Sequence, residues 1–410
     1  MNKPVKSSGS YWGTKTDFAS LVAHIEKVGP ILQENAEEND KLGRLNEATL
    51  AALKPLRMSH IFASEADGGA QLSPTQGLKL IEAITYYSGS AGWISMVHAC
   101  VSAMAAAFLP DSSVQRLFAP GTDNRFSGQG TPTGMLKKVE GGYLLNGRWS
   151  YGSGMYHATF SHSAALVDDG TGKPAKDEKG DIIVLCAHAP VGEHGLLGNW
   201  DVLGLRATGS IDYDAKDVFI PDDMVFPILT AEPQRLHEFF SLGVIGLAAI
   251  GHSGWAIGAS RRMMDDIAKF ARSKTGRSGM IGESDKFWFD FGRAEARVRA
   301  ARAFLFEVWR DVEASIEGGQ RVSTRQISLI HLAKSEVHEA GVEACMFAMR
   351  ASGGAGIRAG VMQRIFRDMM TAASHFTINP NIVGAVGRDI GGIWSDRTWQ
   401  FYDLLEKKKQ

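Results

Sequence analysis

A histidine closes the amphipathic run of about Val361–Thr377, in the segment Ser374-His375-Phe376, just before Asn379-Pro380 stops the helix. Imidazole titrates near neutral pH, so His375 can accept or donate a proton at a site. It can equally do no more than complement the negative end of a helix dipole. A second stretch, Trp149-Ser150-Tyr151-Gly152-Ser153-Gly154, follows a strand-like run and its Asn146-Gly147 turn. Trp149 at a strand end could cover one face of a planar ring, and the Ser153 hydroxyl, on a glycine-flanked turn, could reach the ring's edge. The other reading is a Gly/Ser loop with Trp149 in the core. Between the long helices, Gly353 and Gly354 allow backbone to approach another chain or a cofactor closely. His98 is a lone histidine on the apolar helix Trp93–Met104, where a core residue and a site residue look alike. His157 and His162 are five apart in a strand-like run, and His331 and His338 seven apart on a helix; neither pair has a third ligand. We read both as structural and expect no metal.

Periodicity supplies the frame for these residues. Apolar positions recur at three and four from about Thr16 to Asn35, Lys41 to Leu53, Ser73 to Tyr87, Gly89 to Leu109 and Ser112 to Phe118, behind a loose polar tail at 1–12. Near Asn124 the pattern changes to short alternating runs with turn residues, including Tyr143–Trp149, Asp181–Ala187 and an exposed tip at Asp168–Gly180. After Pro227 long helices return: about Arg235–Ser273, Ser284–Ile316, Thr324–Ser352, Val361–Thr377 and Asn381–Lys407. The fold class is therefore α+β and mostly α, in three units. An N-terminal helical domain (1–123) precedes a central β-barrel or sandwich (124–228), and a C-terminal helical bundle (229–410) follows. With 44 basic and 45 acidic residues the net charge is -1, so no global field draws nucleic acid or anionic membrane. Three cysteines without paired or ligand spacing suit a reducing cytoplasm. We expect no signal peptide and no membrane span.

The order of helices, β unit and bundle, with Arg350-Ala-Ser-Gly-Gly-Ala-Gly and Arg367-Asp368, resembles the acyl-CoA dehydrogenase superfamily. In its dehydrogenases a catalytic glutamate lies eight residues after that Asp. Here the place is Phe376, with His375 before it. Trp149-x-x-x-Ser153-Gly154 resembles instead the motif of the superfamily's flavin hydroxylases: p-hydroxyphenylacetate hydroxylase oxygenase components, steroid-ring hydroxylases and dibenzothiophene monooxygenases. The resemblance implies that Ser153 contacts flavin N5, that Trp149 covers the ring, and that His375 manages a proton. It implies that His98 faces the substrate and that Ser127, Gln129 and Thr131 of Phe126–Gly134 line the cavity. Gly353 and Gly354 would touch the flavin. Arg272, Lys274 or Arg277 would bind its phosphate, often across a subunit interface. Gly204-Leu-Arg206-Ala-Thr208-Gly-Ser210 resembles a loop laid against the flavin, with Arg206 and Ser210 mainly structural.

No Gly-x-Gly-x-x-Gly after a strand and no phosphate-loop motif offers a nicotinamide nucleotide site. The resemblance therefore implies the oxygenase component of a two-component system. It would take reduced FMN (FAD possible) from a separate NAD(P)H-dependent flavin reductase. A small phenolic or indolic substrate would be hydroxylated with O2 through a flavin C4a-hydroperoxide, in a cytoplasmic homotetramer. Two other readings remain open: an acyl-CoA dehydrogenase-type oxidoreductase with its base elsewhere, and a non-catalytic flavin-binding bundle.

Overall fold

The computed structural model describes residues 10–119, 121–229, 232–273, 275–276, 279–394, 397–400 and 403–406. Lys274 and Arg277 lie outside them. Five helices open the chain: α1 (Phe18–Leu42), α2 (Glu47–Leu53), α3 (Pro74–Tyr87), α4 (Gly89–Phe108) and α5 (Asp111–Leu117). Their starts are fixed by side-chain caps: Asp17 on the Ala19 N–H, Ser88 on the Ala91 N–H, and a reciprocal Ser73/Gln76 box. α1 runs through Pro30 and ends where Gly43 turns left-handed (φ 64°), later than the apolar period suggested. α4 is long and apolar enough by composition to cross a membrane, contrary to the sequence expectation; here it is buried within the molecule against α3 and other helices. The supposed N-terminal tail also contributes to the core. Trp12 is buried and donates its indole N–H to Glu317 (2.6 Å).

One seven-stranded sheet follows. It contains β1 (Phe126–Val139), β2 (Gly142–Gly152), β3 (Phe160–Val167), β4 (Val184–Ala187), β5 (Gly195–Leu196), β6 (Ile211–Pro221) and β7 (Val225–Pro227). Their order is β5-β6-β2-β1-β3-β4-β7, with β1 and β3 parallel and the other pairs antiparallel. Residues of the Asp168–Gly180 tip are mostly exposed.

The last helices are α6 (His237–Phe240), α7 (Gly243–Ser273), α8 (Asp285–Glu317), α9 (Thr324–Ser352), α10 (Val361–Ala373) and α11 (Pro380–Ile390). The helix expected over Arg235–Ser273 is broken at Gly243, whose φ of 66° only glycine adopts readily. That expected over Asn381–Lys407 stops at Ile390, before Gly391 and the left-handed Gly392; Arg397–Gln400 then pairs with Asp403–Glu406 as a hairpin. The stripe Ala333, Val337, Ala340 and Ala344 of α9 is buried in the chain's own core, where α9 packs on α7 and α8.

Candidate active site

Where the sheet meets α4, α7 and the end of α10, the chain encloses a cavity of about 570 Å³, within the roughly 300–1,000 Å³ of small-molecule sites. Trp93, Met96, Val97, Cys100 and Met104 of α4 form one wall, and Val244, Ile245, Ala248 and His252 of α7 another. Gln129, Tyr151, Ser153, Trp200 and Ser210 come from the sheet and its loops; Ser374–Thr377 close the far side. No lysine, arginine, aspartate or glutamate is among the lining residues.

The strand before Ser153 explains which aromatic faces the cavity. Register slips between Trp149 and Gly152, and Tyr151 takes a left-handed φ of 66°, uncommon outside glycine. Trp149, before the slip, points inward. It is buried, stacks on its cross-strand neighbour Tyr213 (5.3 Å) and donates to the Ala164 carbonyl (2.8 Å). It offers no face to a ligand. Tyr151, two residues on, is 65% exposed and lines the cavity beside Trp200.

Of the other candidates, Gln129 lines the cavity, whereas Thr131 hydrogen-bonds Gln129 from outside it. Ser127 is fully buried and donates to the Ser153 carbonyl. His98 faces away: α4 turns Ile94 and His98 toward a second hollow while Trp93, Met96 and Val97 face the cavity. Burial, with the nearby His157 and Arg125, lowers its pKa to about 3, and among the described residues it reaches only the Gly154 carbonyl (3.4 Å). Arg272, exposed at the end of α7, and exposed Gly353 and Gly354 are not among the lining residues.

His375 caps the turn after α10. Its Nδ1 accepts the Thr377 N–H (3.3 Å) and lies 2.9 Å from the Thr377 hydroxyl. The neutral ring therefore carries its proton on Nε2 and can act as a hydrogen-bond donor. Burial, then the charge of Lys334 and the neighbouring His338, lower its pKa to about 3. His252, which sequence reasoning passed over inside Gly251-His-Ser-Gly254, lines the same cavity with its ring 4.5 Å from that of His375. Burial drives its pKa well down too, and its Nδ1 has no partner among the described residues. Behind the two rings, His338 and the buried Lys334 of α9 complete a basic cluster.

The Arg367-Asp368 pair works as a fastener. Buried Asp368 accepts the Leu205 N–H (2.6 Å), Arg367 donates to the Leu203 carbonyl (2.8 Å), and Arg364 and Arg367 approach Asp40 of α1. A Cβ on Gly204 would lie 2.1 Å from the Arg367 carbonyl, so only glycine lets the loop lie on α10. Burial, with Asp40 nearby, raises the Asp368 pKa to about 7.

Residues 250–380 match the acyl-CoA dehydrogenase C-terminal domain family. The chain is 26% identical over 341 residues to an indole-3-acetate monooxygenase of Pseudomonas putida, covering 82% of this chain and 85% of that protein. To the oxygenase component of p-hydroxyphenylacetate 3-hydroxylase from Acinetobacter baumannii it is 22% identical over 396 residues, covering 92% and 90%. XiaF from Streptomyces sp., solved with FADH2 and glycerol, superposes with a TM-score of 0.83 at 20% identity, over 92% of this chain and 96% of that one. TdsC from Paenibacillus sp. A11-2, solved with FMN and indole, gives 0.79 at 18% identity, over 94% and 100%. The cavity has residues that fit a flavin ring. Tyr151, Trp200 and Trp93 supply aromatic wall, Ser153 and Gln129 polar edge contacts, and an unpartnered imidazole nitrogen awaits a polar group.

One further cluster was hidden by sequence spacing. Pairing of β3 with β4 brings His162, Cys186 and His188 together, with ligand atoms within 4.8 Å. The histidines bond each other (3.0 Å) and His188 donates to the Met224 carbonyl (3.1 Å), while burial raises the Cys186 thiol pKa.

Proposed function

We propose that this chain is the oxygenase component of a two-component flavin monooxygenase that hydroxylates a small phenolic or indolic molecule with O2. Reduced FMN, or FADH2, comes from a separate NAD(P)H-dependent reductase; when bound, it supplies the electrons that activate oxygen. The observation that carries this reading is a neutral pair of imidazoles, His375 and His252, in an apolar cavity without a carboxylate. A thioester dehydrogenase needs a base strong enough to take an α-proton. The place where its glutamate would fall is Phe376, which is 44% exposed. Relatives named for indole-3-acetate and p-hydroxyphenylacetate support the substrate class.

Each group has a task in this reading. Ser153 would hold the flavin edge at N5, and Tyr151 and Trp200 would bound the ring. Methionine and valine side chains of α4 and α7 exclude water, which protects the reacting oxygen from loss. His375 donates from Nε2 to oxygen at the reacting centre. His252 accepts the proton of the substrate's O–H or N–H. The chain works as a cytoplasmic homotetramer; exposed Phe289 of α8, Ile357 and Ile393 are each available to a partner subunit, and the three buried free cysteines support a reducing compartment.

Chemically reduced FMN and ¹⁸O2 test the function on a panel of phenols and indoles. A product carrying one ¹⁸O atom is expected. Bleaching of oxidised flavin by acyl-CoA thioesters, without labelled product, would return the chain to the dehydrogenases.

A further inference from the structure

Ser153 is the first of three buried hydroxyls in a row. Its Oγ lies 2.6 Å from Ser210 Oγ, which lies 2.7 Å from Thr208 Oγ1, which lies 2.7 Å from the Leu205 carbonyl oxygen. Two oxygens this close need a proton between them. Each hydroxyl brings one proton and the carbonyl brings none. Three contacts and three protons leave one arrangement: Thr208 donates to Leu205, Ser210 to Thr208, and Ser153 to Ser210. From the other side Trp93 Nε1–H, which can only donate, reaches Ser153 Oγ (3.1 Å). The Ser153 proton is thus committed, and toward the cavity its oxygen has only a lone pair left to offer.

The end of this chain is held firmly. Leu205 sits at a left-handed φ of 54°, which a branched side chain adopts reluctantly. The Asp368 carboxylate holds it there through the Leu205 N–H (2.6 Å), and its carbonyl also receives the Trp200 indole N–H (3.1 Å). The fastener on α10 therefore fixes the acceptor on which the whole hydroxyl chain terminates.

We propose that Ser210, Thr208 and the Leu205 carbonyl are positioning groups that hold Ser153 as an acceptor-only hydroxyl, so that the cavity selects reduced over oxidised flavin. This rests on the flavin reading above, with N5 beside Ser153. N5 of an oxidised isoalloxazine is a lone-pair acceptor, and on two-electron reduction it carries N–H. Ser153 opposes the first with like polarity and accepts a hydrogen bond from the second. Donation down the chain also strengthens Ser153 as an acceptor, since linked hydrogen bonds polarise one another.

The test is anaerobic titration of the full-length protein with oxidised and with dithionite-reduced FMN, in wild type, Ser210→Ala and Thr208→Val. Removing the Ser210 hydroxyl frees the Ser153 proton to turn into the cavity and donate to oxidised N5. Oxidised FMN should then bind about five- to tenfold more tightly, the worth of one neutral hydrogen bond, with reduced FMN little changed. Thr208→Val should act in the same direction, because Ser210 then turns its proton back onto Ser153. The midpoint potential of bound FMN should fall in step, and circular dichroism checks the fold of each variant. A merely structural role weakens both forms in parallel. That result, or an unchanged preference, overturns the inference and leaves the flavin reading standing; failure of wild type to bind either form overturns both.

Discussion

The rings of His375 and His252 lie 4.5 Å apart at 41° to one another, one from the turn after α10 and one from α7. Their hydrogen bonding differs. His375 has its Nδ1 occupied by Thr377, whereas His252 has a free, buried Nδ1. Two imidazoles kept neutral by burial can therefore divide the hydrogen bonding at a reacting centre, His375 donating from Nε2 and His252 offering an acceptor.

His375→Asn and His375→Gln separate the cap from the donor. Asparagine places an acceptor where Nδ1 accepts the Thr377 N–H but has nothing at Nε2; glutamine places an N–H near Nε2. With Asn, product formation should fall by about 10²–10⁴-fold, the usual worth of a positioned acid or base, while oxygen is still consumed and released as hydrogen peroxide. Glutamine should recover part of the coupling. If Asn leaves the product-to-peroxide ratio and rate unchanged, His375 is a capping residue only.

His252→Phe should keep the ring's volume and contact with Trp93 (5.1 Å) but remove its nitrogens. A phenolic substrate then has to lose its proton to solvent. The variant's kcat/KM should be low near pH 7 and climb toward wild type as pH nears the phenol's own pKa, roughly 10. Parallel pH profiles for variant and wild type would remove the base role.

Assembly is checked by sedimentation equilibrium, where a tetramer of the 44.4 kDa chain is expected. Phe289→Glu on the exposed side of α8 should shift it toward smaller species while leaving the fold intact. A stable wild-type monomer would remove any phosphate site shared between subunits.

How legible this was in the sequence differs by feature. The helix-sheet-helix order follows from apolar period, and Thr324–Ser352 was read to the residue. The break at Gly43 falls later than the period suggests, and those at Gly243 and Gly392 escape it, because a left-handed glycine can stop a helix without disturbing the apolar pattern on either side. Ser153, Gln129 and His375 do line one cavity, yet Trp149 was assigned the wrong face. A register slip reverses the alternation after it, and no residue type announces the slip. His252 stayed hidden because its neighbours, His375 and His338, arrive from other helices. The hydroxyl chain from Ser153 to Leu205 likewise joins segments far apart in sequence.

The buried basic cluster makes stability sensitive to acid. His331, His338 and His375 hold pKa values of about 3, 4 and 3, lowered first by burial, and His252 is pushed well down in the same way. Unfolded, each titrates near 6.5, so between about pH 6.5 and 4 the unfolded chain binds more protons and stability falls as the pH is lowered. Each group adds a slope of about 1.4 kcal/mol per pH unit there. His331→Leu, away from the cavity, should flatten the curve of melting temperature against pH in that window. An unaltered curve would mean that His331 is charged in the fold.

Lys334 carries a pH dependence of the same sign into the alkaline range. It is 1% exposed with only His331 Nδ1 near its ammonium among the described residues (3.4 Å), and burial lowers its pKa to about 7. The unfolded value is about 10.4, so the folded state binds fewer protons between pH 7 and 10.4, and stability rises with pH across that range. Below pH 7 the full cost of the buried charge is present; above 10.4 it is gone. Lys334→Met fills the same space without the charge and should raise the melting temperature at pH 6, with the gain fading by pH 10. Its effect on activity should have the opposite sign. The charge of Lys334 lowers the pKa of His375 and of His252 across the cluster, while His338 and His331 also face it from α9. Without that charge both cavity imidazoles protonate at higher pH. The acid limb of coupled product formation should therefore move upward in pH in Lys334→Met, even as the protein becomes harder to melt. A variant that is less stable at every pH, with an unmoved acid limb, would show that the ammonium is held by partners that compensate its burial and has no influence on the site.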